Sequence, residues 1–334
     1  MRILSIDGGG IRGLIAARIL DDIEDKAGVP ISQLFDVVVG TSTGGLLALA
    51  LSAPKAGAEG QPRYTAGELV SFYKEHGPRI FSPVLWRRLL PFVRNAPYRP
   101  DNLEAVLHEY FGETTLSQAV VEVAVTAYDI ENRYPMVFTR REARALNASK
   151  EKIDDYRMKD LARATSAAPT YFPPARIFAE PNRKEERNPK ALIDGGVFAN
   201  NPSVAALVLA IKALATESWP QFVLVSIGTG SCVELYSYHH AKDWGLWNWG
   251  KRILPIVFDG VADHSQDQLK ELFGPGSPLG RYFRFNQSLP QGLDSLDNAS
   301  AGQLRRLEAM ANRIIAEERE KLEEVVKVLR YGAA

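Results

Sequence analysis

The segment FDVVVGTSTGGLLALAL, residues 35 to 51, places one serine between an apolar strand-like run and an apolar helix-like run. GTSTG fits G-x-S-x-G, in which a sharp strand-to-helix turn exposes the serine hydroxyl as a nucleophile. Such a turn needs neighbours with almost no side chain, and Gly40 and Gly44 meet that need. Free N–H groups at the helix start favour negative charge beside the serine. The pattern therefore predicts Ser42 as the nucleophile of an acyl transfer.

A second glycine cluster, DGGGIRG at residues 7 to 13, also lies between a strand-like and a helix-like segment. It contains G-x-G-x-x-G through Gly8, Gly10 and Gly13, a pattern that cradles pyrophosphate in dinucleotide-binding folds. That function also needs an acidic residue at the end of the second strand, where it holds the ribose. Asp36 stands at the beginning of that strand instead. The sequence therefore argues against a nucleotide cofactor.

The same loop is better interpreted as an oxyanion hole. The backbone N–H groups of Gly8, Gly9 and Gly10 carry no side chains and can converge on an oxygen beside Ser42, because parallel neighbouring strands deliver both loops to one sheet edge. One such donor stabilises a transition state by roughly 3 kcal/mol. Arg12 has two interpretations: it supplies charge for a phosphate or orients the loop, or it is an ion-paired arginine at a helix start.

A carboxylate is the favoured proton acceptor for the serine. In KALIDGGVFANNP, residues 190 to 202, an apolar strand ends at Asp194, and Gly195 and Gly196 allow a sharp turn directly afterwards. Unperturbed aspartate is a weak base, so partial burial would help by raising its pKa. Asp7 is a rival because Gly-Gly follows it too, but its turn must already supply the oxyanion donors.

A histidine base is the alternative. An α/β-hydrolase has Ser, then Asp or Glu, then His in chain order, and several strands precede its nucleophile. This chain has room for only one βαβ unit before the serine, so that fold fits poorly. The candidate histidines follow in the second half of the chain: His239, His240 and His264.

Short runs rich in Ile, Val and Leu predict buried strands. They cover residues 2–6, 35–39, 121–127, 191–193 and 222–227. Amphipathic helices are predicted between the first two strands, after the serine turn, and at the chain end, where apolar residues from Leu304 to Leu329 form a stripe. This order predicts a three-layer α/β/α sandwich with a mostly parallel central sheet. We expect one catalytic domain over residues 1–275, with residues 276–334 forming a loop and an amphipathic helix that pack on it.

Composition excludes several classes of protein. Lys plus Arg and Asp plus Glu each number 40 in 334 residues, so the zero net charge gives no reason to expect a nucleic-acid partner. Cys232 is the only cysteine, which excludes an intramolecular disulfide and agrees with a cytoplasmic setting. MRILSID already reads as a strand, so we expect no secretory signal. The sequence has no uninterrupted apolar run of about 18 or more residues, so we expect no membrane-spanning helix.

Three motifs in this order, DGGGIRG, GTSTGG and DGG, resemble the patatin-like phospholipase family. The resemblance extends through SFYKEHGPRIF, ARATSAAPTYFPP, DGGVFANNP and VLVSIGTGS, up to about residue 275. It implies a lipid acyl hydrolase of the phospholipase A or lysophospholipase type, with a Ser-Asp dyad and without metal or other cofactor. Its site residues fall on Ser42, Asp194 and Gly8 to Gly10.

Two further functions stay open beside this one. The resemblance includes bacterial members that cyclic nucleotides activate as antiphage effectors, although no nucleotide site is visible in the sequence. A storage or binding protein on the same fold would be non-catalytic, but such a protein has no use for an exposed serine turn beside a carboxylate.

A lipid hydrolase needs local surface that meets a bilayer. Residues 83–100 mix Leu, Trp and Phe with four arginines, and residues 243–260 carry Trp244, Trp247 and Trp249. Tryptophan favours the membrane interface, but aromatic residues at helical spacing are also common in protein cores. Both segments are therefore candidates for peripheral membrane contact.

Overall fold

The computed structural model describes residues 1–82, 98–148, 155–180, 189–214, 221–231 and 235–332. Its main feature is an eight-stranded sheet in which seven strands follow the order β10-β9-β1-β2-β5-β8-β7, while β6 pairs with β5. The strands are β1 Arg2–Ile6, β2 Val37–Gly40, β3 Pro54–Lys55, β4 Ala58–Pro62, β5 Glu122–Asp129, β6 Tyr134–Thr139, β7 Ala175–Ile177, β8 Lys190–Asp194, β9 Phe222–Ile227 and β10 Gly280–Phe285. Strands β3 and β4 form a separate hairpin.

The helices connect these strands. They are α1 Gly13–Ala27, α2 Ile31–Leu34, α3 Thr43–Ser52, α4 Ala66–Ile80, α5 Pro100–Phe111, α6 Arg140–Ala148, α7 Met158–Thr165, α8 Gly196–Ala199, α9 Ser203–Ala213, α10 Tyr238–Ala241, α11 Leu246–Leu272, α12 Ala301–Glu317 and α13 Arg319–Tyr331. Two short 3₁₀ helices cover Gly10–Arg12 and Leu116–Gln118.

Both faces of the sheet are covered by helices. Side chains alternate along each strand, so Ile3 packs with Leu207 of α9 and Leu269 of α11, whereas Leu4 joins the core on the opposite face. That larger core includes α1, α3, α4 and both C-terminal helices. Strands buried on both sides read as continuous apolar runs, as β1, β2 and β9 do. The predicted three-layer α/β/α sandwich is confirmed.

The sheet is parallel on one side only. Strands β10, β9, β1, β2 and β5 run parallel, while β6 and β8 are antiparallel to β5, and β7 is antiparallel to β8. All five predicted strands are present within two or three residues of their predicted bounds. Strands β6, β7 and β10 and the hairpin were not predicted, because their sequences are short or interrupted by polar residues.

Residues 276–334 contribute more than the predicted loop and helix. Strand β10 lies parallel to β9 and so extends the central sheet. The apolar stripe belongs to two helices, α12 and α13, which meet at Glu318. The C-terminal segment is therefore part of the sheet and part of the same core.

In the described residues, no helix is both long enough and apolar enough to cross a membrane.

Candidate active site

Ser42 lies at a strained turn between β2 and α3. Its φ is 56°, in the left-handed region that L residues avoid, and α3 begins at the next residue. The Ser42 N–H donates to Oγ1 of Thr165 at 2.8 Å, which fixes the turn from the side of α7. The Ser42 side chain is buried with 6% of its surface exposed. The helix start behind it favours negative charge at this point.

Close backbone contacts explain the glycines of this turn. A Cβ on Gly44 would lie 2.2 Å from the carbonyl oxygen of Ile6, so the start of α3 can touch the end of β1 only without a side chain. A Cβ on Gly40 would lie 2.1 Å from the carbonyl oxygen of Gly44. The two glycines predicted to permit the turn are therefore those at which the backbone folds onto itself.

Asp194 reaches the same region from an antiparallel strand. It ends β8 opposite Ala127 of β5, two residues beyond Val125, which pairs with Gly40. Its Oδ1 accepts the Gly196 N–H at 2.8 Å, whereas its buried Oδ2 has no hydrogen-bond partner among the described residues. Burial raises the pKa of Asp194 to about 7, although the neighbouring Ser42 hydroxyl and the Gly196 N–H act to lower it.

The contact between the serine and the aspartate is close but incomplete. Ser42 is near enough to influence the pKa of Asp194, yet its hydroxyl and Oδ2 do not meet the geometry of a formed hydrogen bond. Hydroxyl-to-base contacts in unliganded sites are commonly loose and tighten only when substrate binds. The Asp194 carboxyl therefore lies close to Ser42 and keeps one oxygen, Oδ2, without a hydrogen-bond partner in the described chain.

Hydrogen bonds to three distant segments hold the first glycine loop. The Gly8 N–H donates to the carbonyl oxygen of Asn200 at 2.9 Å, and the Gly8 carbonyl accepts the Thr229 hydroxyl at 2.6 Å. The Ile11 N–H donates to the carbonyl oxygen of Leu296 at 2.9 Å. Gly8 was one of three predicted oxyanion donors, but its N–H is engaged with Asn200.

Gly9 and Gly10 differ from Gly8. Their N–H groups donate to no acceptor in the described part of the chain. Gly10 also lines the cavity that contains Ser42. Of the three predicted oxyanion donors, the N–H groups of Gly9 and Gly10 therefore remain candidates.

Asp7, the rival base, is occupied by a buried ion pair. Arg284 of β10 donates from Nη1 to Oδ1 at 2.9 Å and from Nη2 to Oδ2 at 2.5 Å. Burial raises the pKa of Asp7, while Arg284 opposes that shift. Arg284 also donates to Ser226 at 2.8 Å and to Gln266 at 3.1 Å. The pair ties the start of the glycine loop to the C-terminal strand and leaves Asp7 poorly placed as a base.

The remaining candidates lie elsewhere. His239 and His240 are exposed on α10 and His264 is exposed on α11, and none of them lines the cavity around Ser42. Asp36, considered for ribose binding, pairs with Arg2 at 2.6 Å. These positions support neither the histidine base nor the nucleotide site.

The supporting residues lie around the two loops. Arg12 is buried, and its Nε donates weakly to the Gly9 carbonyl at 3.4 Å. Gly13 packs against Thr43, and Gly195 packs against Thr126. Gly196 gives its N–H to Asp194. Arg12 therefore has a loop-orienting contact, and it also lines a second cavity.

An apolar cavity opens beside Ser42. It contains about 650 Å³ of empty space, its open mouth included. Its walls come mainly from α3, α4 and the segment that follows α7, and Leu296 and Phe258 of α11 also line it. Representative lining residues are Leu46, Phe72, Ile80, Phe172 and Phe258. The lining suits a hydrocarbon chain whose ester end reaches Ser42.

Sequence reasoning missed several residues that hold this site. Thr165 and Thr229 lie within quoted motifs, so their motif membership was a usable signal, but their hydrogen bonds to the two loops were not visible. Asn200 is the same kind of case. No sequence pattern indicated a role for Arg284, since a single arginine in a polar segment is typical of an exposed residue.

The two candidate membrane segments differ in what the structure describes. Most of residues 83–100 lies outside the described residues. In 243–260, Leu246 is 93% exposed, Trp247 46% and Trp249 40%, and Ile253 and Ile256 are exposed as well. Trp244 is half-buried and packs edge-on against Trp249 with ring centroids 5.2 Å apart. This segment therefore presents apolar side chains to solvent.

Comparisons with known proteins identify sequences similar to this chain. The sequence pattern of the family described as patatin-like phospholipase matches residues 4–207. Patatin-like protein 2 of Oryza sativa subsp. indica is 32% identical, covering 89% of this chain and 79% of its own length. Patatin-like protein 4 of Arabidopsis thaliana is 31% identical, covering 94% and 82%. A Solanum tuberosum protein named probable inactive patatin-3-Kuras 1 is 30% identical, covering 90% and 83%.

Proposed function

Since the chain belongs to the patatin-like phospholipase family, we propose that it is a lipid acyl hydrolase that cleaves fatty-acyl esters of phospholipids through an acyl-Ser42 intermediate. Relatives include a protein named as inactive, so family membership alone does not carry this proposal. The observation that carries it is the buried Asp194 carboxylate close to Ser42, one oxygen of which, Oδ2, has no hydrogen-bond partner among the described residues.

The first half of the reaction follows from this placement. Ser42 Oγ attacks the ester carbonyl carbon while its proton passes to Asp194, whose raised pKa makes it a better acceptor than ordinary aspartate. The carbonyl oxygen becomes an oxyanion, which the N–H groups of Gly9 and Gly10 and the start of α3 stabilise. Collapse of this intermediate breaks the ester C–O bond, and the lipid alcohol leaves with the proton from Asp194.

The second half regenerates the serine. Water attacks the acyl carbon and gives its proton to Asp194, and the same N–H groups bind the new oxyanion. Collapse releases the fatty acid and returns the proton to Ser42 Oγ. The apolar cavity holds the acyl chain throughout, which keeps the carbonyl in place for both attacks.

We also propose that residues 243–260 contact the lipid surface. Trp247 and Trp249 are exposed on the first turns of α11, and Phe258 of the same helix lines the apolar cavity beside Ser42. Tryptophan prefers the headgroup level of a bilayer. Contact there would bring the mouth of the site to the lipid from which the substrate must be drawn.

Fatty-acid release from mixed phospholipid vesicles tests the hydrolase proposal. We expect Ser42→Ala and Asp194→Asn each to lower turnover by about 10³-fold or more, because each removes one half of the dyad. Ser71→Ala and Asp267→Asn change exposed residues of the same types and serve as matched controls. Circular dichroism checks that every variant is folded. Wild-type turnover by either folded site variant would overturn the dyad.

A further inference from the structure

Strand β5 separates the two strands that carry the serine and the aspartate. Ser42 follows β2 and Asp194 ends β8, and the sheet places β5 between these strands. On β5, Thr126 stands between the residue opposite Gly40 and the residue opposite Asp194. Because β2 and β8 are not neighbours, contacts that cross β5 are needed to fix the separation of Ser42 and Asp194.

Two buried threonine hydroxyls make such a crossing contact. Thr41, the residue before Ser42, places its Oγ1 2.7 Å from Oγ1 of Thr126. The same Thr41 oxygen lies 2.6 Å from the carbonyl oxygen of Ala199, the last residue of α8. A carbonyl oxygen only accepts hydrogen bonds, so the Thr41 hydroxyl donates to Ala199 and the Thr126 hydroxyl donates to Thr41. We call this chain of two hydrogen bonds the threonine bridge.

At its far end, the threonine bridge meets the turn that holds the aspartate. Helix α8 begins two residues after Asp194, and the N–H of its first residue, Gly196, donates to Oδ1 of Asp194 at 2.8 Å. Thr126 also packs against the residue between them, since a Cβ on Gly195 would lie 2.1 Å from Oγ1 of Thr126. The bridge therefore contacts this turn at both Gly195 and Ala199.

At its near end, the threonine bridge is tied to the serine turn. The Thr41 N–H donates to the Ile6 carbonyl at 3.2 Å, and the Thr41 carbonyl accepts the Gly44 N–H at 2.8 Å. These backbone bonds fix Thr41 to β1 and to the start of α3, while its side chain reaches toward β5 and α8. Because Ser42 is the next residue, any displacement of Thr41 also displaces the nucleophile.

We propose that Thr41 and Thr126 are positioning residues whose hydroxyls set the separation between Ser42 and Asp194. This inference rests on the proposed hydrolase function. Both threonines are completely buried and absent from the described lining of the cavity beside Ser42, so they act through the two turns that they join. Proton transfer from a serine to a carboxylate needs close alignment, and a misplacement of about 1 Å costs a rate factor of about 10².

Kinetics on p-nitrophenyl butyrate, a soluble uncharged ester, test the threonine bridge. Thr41→Val keeps the shape of the side chain and removes its hydroxyl. We expect kcat to fall about 30-fold while KM changes less than about twofold, because the cavity still binds the ester but the dyad is misaligned. Thr41→Ser restores the hydroxyl and should bring kcat to within about threefold of the wild type.

Thr139→Val is the matched control for the loss of a buried threonine hydroxyl. Thr139 ends β6, and its Oγ1 accepts the Glu142 N–H at 3.1 Å, away from both turns of the site. This variant should leave kcat unchanged. Circular dichroism checks that every variant is folded. A folded Thr41→Val protein with wild-type kcat, or an equal fall in Thr139→Val, would overturn the proposal.

A second comparison asks whether the threonine bridge acts through the aspartate. Without the carboxylate base, its alignment with Ser42 no longer affects the rate, so Thr41→Val in the Asp194→Asn protein should lower kcat by less than about twofold. An equal loss in both backgrounds would show a merely structural threonine and overturn the proposal. Thr126→Val, which keeps the bond from Thr41 to Ala199, should cost about tenfold and gives the same comparison if Thr41→Val does not fold.

Amide hydrogen exchange separates this result from the hydrolase proposal, because it needs no turnover. We expect Thr41→Val to speed exchange about tenfold both in the peptide around Ser42 and in the peptide around Gly196, whereas Thr139→Val affects neither. Faster exchange in both peptides would support the bridge even if the wild type hydrolysed no ester. Unchanged exchange around Gly196 would overturn the bridge even if Ser42-dependent hydrolysis were established.

Discussion

The loops around Ser42 and the surface from residue 235 to 259 are built in opposite ways. At the loops, backbone contacts backbone: a Cβ on Gly44 would meet the Ile6 carbonyl at 2.2 Å, and Ser42 is almost fully buried. At the surface, large side chains project outward, with Leu246 93% exposed. Small changes in the first region should abolish the reaction, whereas changes in the second should alter which lipids are reached.

Gly9→Ala should show the largest effect of the changes that test this contrast. Its Cβ would lie 2.1 Å from Oγ1 of buried Thr229, so the loop must shift and carry the proposed N–H donors with it. We expect kcat on a soluble ester to fall about 10²- to 10³-fold. Gly245→Ala, in the surface region, meets open space and is the matched control. Equal activity of both alanine variants would show that the glycine loop tolerates a side chain as well as the surface region does.

Asp194→Asn should stabilise the protein while it inactivates the site. The pKa of Asp194 is raised from 3.8 to about 7, so between these values the folded state holds a proton that the unfolded chain releases. The stability of the wild type therefore falls as pH rises through this window, and the cost is fully present above pH of about 7. Asparagine carries no charge at this position and so avoids the cost of ionising a buried carboxyl.

Urea unfolding at several pH values measures this difference. At pH of about 8 we expect the variant to be more stable by on the order of 2 to 4 kcal/mol, with the gap closing toward pH of about 4. Asp267→Asn changes an exposed carboxylate and should shift stability by less than about 0.5 kcal/mol. A gap that does not depend on pH would show that the ionisation of Asp194 is not its source.

The pH dependence of kcat/KM tests whether the buried Asp194 acts as the base in the reaction. A base with a pKa of about 7 must be deprotonated to accept the serine proton. We expect the rate on an uncharged ester to fall about tenfold per pH unit below about pH 7 and to level off above it. A profile that is flat down to about pH 5 would contradict a buried aspartate base.

The double variant Trp247→Ala/Trp249→Ala should have the smallest effect, and only on the turnover of lipids in vesicles. Both side chains are exposed at the start of α11. We expect the ratio of vesicle turnover to monomeric-ester turnover to fall about fivefold, because interfacial aromatic burial is lost. Tyr331→Ala removes another exposed aromatic residue, at the end of α13, and should leave the ratio unchanged. The same ratio in both variants would remove residues 243–260 from membrane contact.

Much of the fold could be predicted because its signals are local. Apolar runs indicated the five central strands, and G-x-S-x-G between a strand and a helix indicated the turn at Ser42. Strand β10 and the break between α12 and α13 were not predicted. A strand such as GRYFRF alternates charged and aromatic residues and becomes a strand only because the edge of β9 is available to pair with it.

The sequence by itself determined which residue types meet: a serine on a strained turn, two glycine loops and an aspartate before Gly-Gly. Only the tertiary structure decided how they meet. β8 runs antiparallel to β5, so Asp194 arrives from the opposite direction to Ser42 and Asp7, and Arg284 comes from nearly 280 residues beyond the loop it holds. Local patterns set backbone conformation, but strand direction, burial and ion pairing depend on contacts between distant segments.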